Sequence, residues 1–285
     1  MRRLLLLIIA LATLLPSLAS GYDILVLQSR RDQAYDEVLE GFRFAQKSSL
    51  RSLVLADYAD IDVVRIVRED RPLLILAVGD AALNAARKVK NTPVVAVMAL
   101  SINIASAVQR NLSGISMFTA PEGYIRIFQK MKARRVGVVH NPARSGWYLN
   151  TARQAAQQAG IELVVREVSS PRETAGNLSS MAGKVDALWM LPDTTAVSRE
   201  STEAYFHFGQ ENSVPVVSFA GSYLGLGAAA AVEIDRISLG HQADQLATRI
   251  LGGENIDGTP LFPKHTTVRA NESVLKRLGL KGTAP

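Results

Sequence analysis

The sequence predicts an α/β protein with two lobes, each a doubly wound parallel sheet covered by helices. Strand-like segments are mostly continuous Val, Ile and Leu runs such as LLILAVG (73–79), which suits parallel strands buried on both faces. Amphipathic segments alternate with these runs, and repeated strand–helix units with right-handed crossovers build such sheets. The alternation breaks once, around Met117–Pro121, and a second series starts at Arg135. Two similar lobes are therefore expected.

Each predicted element belongs to one of the two series. The strand candidates are DILVLQ (23–28), SLVLAD (52–57), LLILAVG (73–79), PVVAVMA (93–99) and SGISM (113–117), followed by RVGVVH (135–140), IELVVREV (161–168), DALWML (186–191), VPVVSFA (214–220) and AAAAVEI (228–234). The helix candidates are Asp32–Ser48, Ser145–Gly160, Arg172–Gly183, Ser198–Asn212 and one long late helix within 234–254.

We expect the chain to cross between the lobes three times. The first crossing is at Met117–Pro121, the second is near Ala231–Asp235, and the third precedes the strand-like TTVRA (266–270). These crossings form a three-strand hinge. They assign residues 21–117 plus 234–262 to the N-terminal lobe and residues 118–233 plus 263–285 to the C-terminal lobe.

The first twenty residues resemble a secretory signal peptide, so we set residues 1–20 aside. Arg2 and Arg3 precede an apolar run from Leu4 to Leu15, and Ser17–Ala19 supplies a small-residue exit. The run is shorter than the roughly 20 residues that span a bilayer. Cleavage is expected after Ala19 or Ser20, which predicts a periplasmic or secreted protein. An uncleaved anchor is the alternative.

The composition excludes several classes of site. The chain has no cysteine, which excludes disulfides, thiolate metal sites and cysteine nucleophiles. Its net charge is +6, but the basic residues are scattered and form no cluster with aromatics, so no nucleic-acid partner is expected. The four histidines lack metal-ligand spacing, so no metal site is predicted.

No enzyme motif is evident. A nucleophile elbow, a phosphate-binding loop and a His-Glu-x-x-His pair are all missing from the sequence. Gly225-Leu-Gly227 loosely resembles a dinucleotide fingerprint, but it comes late and precedes an apolar run, so no cofactor is predicted. His140 with a distant serine and aspartate stays open as a catalytic triad. An exported enzyme is the least favoured of three function classes.

Ligands of open parallel sheets bind beyond the carboxyl ends of the strands. Polar or small residues occupy these ends and could meet a ligand, although Ser, Thr, Asp and Asn before a helix are equally typical caps. Trp147, at the start of a helix, could be a packing residue or an aromatic platform. The predicted binding residues are Ser29, Gly79, Asp80, Ser101, Asn141, Arg144, Ser145, Trp147, Asp193, Thr194, Thr195 and Phe219.

The chain resembles the solute-binding proteins of ABC transporters with the type I periplasmic-binding fold. The resemblance is closest to the branch that includes binding proteins for aromatic amino acids such as tryptophan. It covers nearly the whole mature chain, and includes the late helix and, more loosely, residues 73–97. Its motifs are Asn141-Pro142, Gly160–Leu163, Ser169–Pro171, Gly183–Ala187 and Asp193–Thr195.

The resemblance implies a ligand enclosed between the lobes and delivered, by a monomer, to a membrane permease with a cytoplasmic ATPase. It also implies that Asp193 holds an amino group, with Thr194 and Thr195 as neighbouring donors. Ser145 and the N–H groups after Asn141 would meet polar ligand atoms.

Two departures from the family pattern bear on the ligand. The loop after Gly79 would offer N–H groups to a carboxylate, yet Asp80 stands where the family usually has Thr or Ser. A carboxylate there repels a ligand carboxylate unless it turns away or is protonated. Arg144 and Trp147 stand where the family usually has a Ser/Pro-rich run. Arg144 could bind a carboxylate. The ligand is therefore a small polar solute, either an amino acid, a cation or another solute.

The sequence favours the solute-binding component of an ABC importer that works by hinge closure. A sensor with the same fold, which would pass ligand occupancy to a membrane kinase or receptor, is the alternative.

Overall fold

The computed structural model describes residues 21–254 and 258–280, so the predicted signal peptide lies outside the described residues. Among these residues no helix is long and apolar enough to cross a membrane. The strands are β1 (Ile24–Gln28), β2 (Leu50–Val54), β3 (Leu74–Val78), β4 (Val94–Val97), β5 (Leu112–Gly114), β6 (Arg135–His140), β7 (Glu162–Glu167), β8 (Ala187–Trp189), β9 (Val216–Ser218), β10 (Ala230–Ile234) and β11 (Thr266–Ala270). The helices are α1 (Gln33–Ala45), α2 (Val63–Asp70), α3 (Asp80–Ala86), α4 (Ile102–Ser106), α5 (Pro121–Lys130), α6 (Pro142–Gln158), α7 (Glu173–Ser179), α8 (Thr202–Glu211), α9 (Arg236–Leu251) and α10 (Glu272–Arg277).

The first lobe is a five-stranded parallel sheet in the order β2-β1-β3-β4-β5. Strand β3 is buried along its whole length because helices cover both faces. Leu74 and Leu76 pack towards α1 and α9, whereas Ile75 and Ala77 pack towards α2, α3 and α4. The alternation of strand side chains therefore explains why these runs are apolar at every position.

The second lobe is a six-stranded sheet in the order β11-β10-β9-β8-β6-β7. One face packs on α5, α6 and α10, and the other packs on α7 and α8. Trp189 of β8 is fully buried between Tyr124 and Phe128 of α5 and Tyr148 of α6. This confirms the core role that its position within a strand indicates.

The edge strand β11 is antiparallel to β10, which differs from the purely parallel sheets that the sequence predicts. The chain leaves the second sheet through β10 and returns through β11 at the same end. Strand β11 therefore runs in the direction opposite to β10.

The structure also contains helices that the sequence analysis did not predict. Helix α5 starts the second lobe ahead of Arg135, and the short helices α2, α3 and α4 were not predicted individually.

Three short segments connect the lobes. Residues 116–120 follow the first sheet and lead to α5, Asp235 joins β10 to α9, and residues 262–265 precede β11. They run side by side, since the Ser116 N–H donates to the Leu261 carbonyl (2.8 Å) and the Asp235 N–H donates to the His265 carbonyl (3.2 Å). The predicted lobe boundaries lie in or beside these segments and stay a prediction.

Candidate functional site

The carboxyl ends of both sheets open into one cleft with two adjoining cavities. Cavity A, of about 320 Å³, is lined by Asp80, Asn84, Arg87, Ser101, Arg144 and Thr194, among others. Cavity B, of about 390 Å³, is lined by Tyr35, Met98, Met117, Phe219, Glu233 and Arg236, among others. Asp80, Leu100 and Pro192 border both cavities. Each volume is typical of a small-molecule site, and both lobes contribute walls.

Asp193 lies beneath the second-lobe wall of the cleft, with only 2% of its area exposed. Its Oδ2 accepts hydrogen bonds from the Asn141 N–H (2.8 Å) and the Ser145 hydroxyl (2.6 Å). Its Oδ1 accepts from the N–H groups of Thr195 (2.9 Å) and Ala196 (3.1 Å). Protein donors therefore occupy both oxygens, which supports a structural role that joins the loops after β6 and β8. Contact between Asp193 and a ligand stays a prediction.

Buried beside Asp193, His140 ends β6 with only 3% of its area exposed. Its Nδ1 lies 3.3 Å from the Ser145 hydroxyl, and its Nε2 has no partner among the described residues. The Ser145 hydroxyl donates to the Asp193 carboxylate, whereas the serine of a catalytic triad donates to its histidine. Burial lowers the pKa of His140, although the Asp193 and Glu167 carboxylates act in the opposite direction.

The lowered pKa of His140 predicts a pH-dependent stability. The unfolded chain binds a proton near the ordinary histidine pKa of about 6.5, whereas the folded protein binds it only at lower pH. The contribution of neutral His140 to the free energy of unfolding is therefore complete above that pH. It is lost as the pH falls towards the lower pKa of the folded state. Urea unfolding of the wild type and His140→Gln between pH 7.5 and about 5 measures this. An identical pH dependence in both proteins would contradict the prediction.

The first-lobe side is built around Gly79, the N-cap of α3. Its φ of 90° and ψ of 166° lie in a region that is essentially restricted to glycine. A Cβ there would lie 2.4 Å from the Tyr35 hydroxyl and 2.5 Å from the Ser29 hydroxyl. Gly79 has no side chain that could cap α3, and Ser29 supplies the cap instead. The Ser29 hydroxyl accepts from the Ala82 N–H (2.9 Å) and donates to the Val78 carbonyl (3.0 Å).

Asp80 is turned away from the Gly79 loop. Its oxygens accept from the N–H groups of Leu100 (3.1 Å) and Ser101 (3.0 Å) and from the Ser101 hydroxyl. The carboxylate thereby joins the start of α3 to the loop before α4. Its charge is thereby partly compensated by three donors, although Asp80 still borders both cavities.

The remaining predicted residues divide between cleft walls and support. Asn141 caps α6 by accepting from the Ala143 N–H (2.9 Å), and its amide donates to the Thr195 hydroxyl (3.2 Å). Trp147 packs edge-on against Phe118 (5.1 Å between ring centroids) and stacks near Phe262 (6.4 Å), both in the crossing region. These contacts support the packing alternative for Trp147, and its contact with a ligand stays a prediction. The predicted residues that line the cavities are Asp80, Ser101, Arg144, Thr194 and Phe219.

Several cleft residues were not predicted from the sequence. Tyr35 lies within α1, Arg87 follows the last turn of α3, and Glu233 lies within β10, so a search of strand ends does not find them. Met98 was placed inside a predicted strand; its φ of 55° breaks that strand and brings it to the cavity wall. Arg87 carried one available signal, since it follows Asp80 by seven residues and so shares a helix face with it.

The family model for ABC transporter substrate binding proteins matches residues 45–282 of this chain. The chain belongs to this family. Its members are substrate-binding proteins, which work with ABC transporters and are not enzymes, as the sequence predicts.

One curated relative is a tyrosine-binding protein of Clostridioides difficile. It is 27% identical over 176 residues, which represent 60% of this chain and 50% of that protein. The chain thus matches about half the length of this relative.

Solved structures share the fold at low sequence identity. A ligand-free, open substrate binding protein with adhesive properties from Clostridium difficile has a TM-score of 0.65 at 23% identity, covering 90% of this chain and 94% of that one. A domain from Streptococcus pneumonia in complex with L-Trp has a TM-score of 0.62 at 19% identity, covering 92% and 96%. Together they place the two α/β lobes in the type I periplasmic-binding fold.

Proposed function

We propose that the chain is the solute-binding component of an ABC importer and that it captures a small polar solute by closure of the two lobes. The single observation that carries this proposal is the cleft, whose cavities A and B take walls from both lobes across three connecting segments. Hinge closure around such a cleft encloses a ligand without covalent chemistry. The proposal includes export by the signal peptide, a periplasmic monomer, and delivery to a permease with a cytoplasmic ATPase.

An amino acid with an aromatic or large apolar side chain is the ligand class that we propose. Tyr35, Met98, Met117 and Phe219 line cavity B, where an apolar or aromatic group could pack. Cavity A next to it is bordered by charged and amide side chains suited to polar groups. The relative named as tyrosine-binding and the neighbour complexed with L-Trp support the same class.

We propose two roles for the predicted site residues. Asp80, Ser101, Arg144, Thr194 and Phe219 contact the ligand, because they line the cavities. The others position these walls through their hydrogen bonds or packing: Ser29, Gly79, Asn141, Ser145, Trp147, Asp193 and Thr195.

A thermal-shift screen of the ligand-free protein against the amino acids tests this proposal. A ligand at about 100 times its Kd is expected to stabilise the folded protein by roughly 2.7 kcal/mol, because it binds only that state. We expect L-tyrosine or L-tryptophan to raise the melting temperature. Mass spectrometry of molecules released from the freshly purified, denatured protein gives an independent readout. Failure of all amino acids, with a different solute released, would contradict the amino-acid assignment.

A further inference from the structure

Two guanidinium groups in cavity A, one from each lobe, have no partner among the described residues. Arg87 follows the last turn of α3 in the first lobe, and Arg144 lies in the first turn of α6 in the second lobe. Across residues 21–254 and 258–280, neither side chain makes an ion pair or a hydrogen bond, and Nε of Arg87 is buried as well. The buried Nε of Arg87 has no acceptor, which costs free energy that an acceptor in the ligand would relieve, whereas Arg144 is exposed and its guanidinium is accessible to a ligand.

The arginines of cavity B differ from this pair. Arg30 is bonded to Asp32 at 2.6 Å, and Arg236 is bonded to Glu37 at 2.7 Å. Their charges are already compensated within the first lobe. The unpaired positive charge of the cleft therefore lies in cavity A.

The acidic group of cavity A does not compensate these arginines. Asp80 accepts hydrogen bonds from Leu100 and Ser101 and makes no ion pair with a described residue. Asp80, Asn84 and Arg87 share one face of the helix, and the first and last are separated by about 10 Å along its axis. The wall thus runs from a bonded carboxylate to a free guanidinium, and Arg144 adds a second free guanidinium from the facing lobe.

We propose that Arg87 and Arg144 hold the carboxylate of the ligand between them, one from each lobe. The inference rests on the proposed function, since it needs a solute in the cleft, and it names the substrate class as a carboxylate-bearing solute whose apolar or aromatic body occupies cavity B. Guanidinium groups bind carboxylates with directional, charge-assisted hydrogen bonds. Because the two cations belong to different lobes, the carboxylate also links binding to closure.

Matched acid and amide pairs test this clamp by isothermal titration calorimetry. The probes are L-tyrosine and L-tyrosinamide, L-tryptophan and L-tryptophanamide, and 4-hydroxyphenylacetate and its amide. We expect the wild type to prefer the acids, and Arg87→Met and Arg144→Met each to weaken acid binding by about tenfold or more while changing amide binding little. Methionine retains much of the apolar stem, which limits loss of packing.

Two substitutions of the same kind serve as controls. Lys88→Met is next to Arg87, and Arg153→Met is on α6 with Arg144; both side chains are exposed and neither lines cavity A. They remove the same charge and should leave the preference for acids intact. Melting temperatures of the ligand-free variants check that each one folds.

The outcomes separate this inference from the proposed function. Acids that bind the two arginine variants as tightly as the wild type would overturn the clamp and leave the importer proposal standing. Binding of 4-hydroxyphenylacetate without binding of either amino acid would support the clamp and overturn the amino-acid assignment. Absence of binding by every acid, with a solute lacking a carboxylate released from the purified protein, would overturn both the clamp and the amino-acid assignment and leave the importer proposal standing.

Discussion

Asp193→Ala is expected to lower the free energy of unfolding of the ligand-free protein by about 3 kcal/mol, because the change leaves several buried donors without an acceptor. The carboxylate accepts from the N–H groups of Asn141, Thr195 and Ala196 and from the Ser145 hydroxyl. Only 2% of Asp193 is exposed, so water cannot easily replace the lost acceptor. Because these donors belong to the loops after β6 and β8, ligand affinity is expected to fall as the second-lobe wall loosens.

Urea denaturation of the ligand-free protein measures this loss, with Thr194→Ala as the control. Thr194 is the exposed neighbour of Asp193 and lines cavity A, so its substitution should change affinity more than stability. Asp193→Asn should have an intermediate stability, because its amide retains one acceptor oxygen. An Asp193→Ala protein that unfolds like the wild type but loses tenfold or more in affinity would instead place Asp193 in direct contact with the ligand.

Gly240→Ala is expected to destabilise the first lobe by about 3 kcal/mol, at the upper end of overpacking effects. Helix α9 follows the second-lobe strand β10 but packs on α1 of the first lobe. A Cβ on Gly240 would lie 2.0 Å from the Val38 carbonyl oxygen and 2.6 Å from the Phe42 nitrogen. Both are backbone atoms, so the two helices would have to separate to accept the methyl group.

The same substitution elsewhere provides the control. Gly123 is also within a helix, but a Cβ there would meet nothing within 4 Å. Because alanine favours the helical conformation more than glycine, Gly123→Ala should be neutral or stabilising by up to about 1 kcal/mol. Thermal unfolding of both variants measures the contrast. Equal melting temperatures for Gly240→Ala and the wild type would show that α1 and α9 separate at little cost.

The architecture was largely predictable because burial on both faces leaves a simple signature. Strands β3 and β4 are uniformly apolar, and each helix that the sequence predicts recurs in the structure with similar bounds. Short helices such as α4 have too few turns to show a clear apolar periodicity. The antiparallel direction of β11 depends on where the chain re-enters the second sheet, which local sequence does not encode.

The site was predictable as a location more than as a set of contacts. The strand-end rule led to the cleft between the lobes, since Asp80, Arg144 and Thr194 all line cavity A. The rule does not separate residues that face the cavity from those that support the loops, because both are polar and both follow strands. Ser145 and Asp193 belong to the second kind by their burial and bonds, whereas Arg87 was missed because it lies at the far end of a helix.

The sequence by itself determined the two strand–helix series, the break between them and the family, because these depend on apolar periodicity and local motifs that each segment carries alone. Only the tertiary structure decided which carboxylates are already bonded and which guanidiniums are free. A side chain's availability depends on donors that are distant in the chain: Asp193 is 52 residues from Asn141, and Asp80 is 21 from Ser101. Folding brings these partners together, and among the described residues it leaves Arg87 and Arg144 without one.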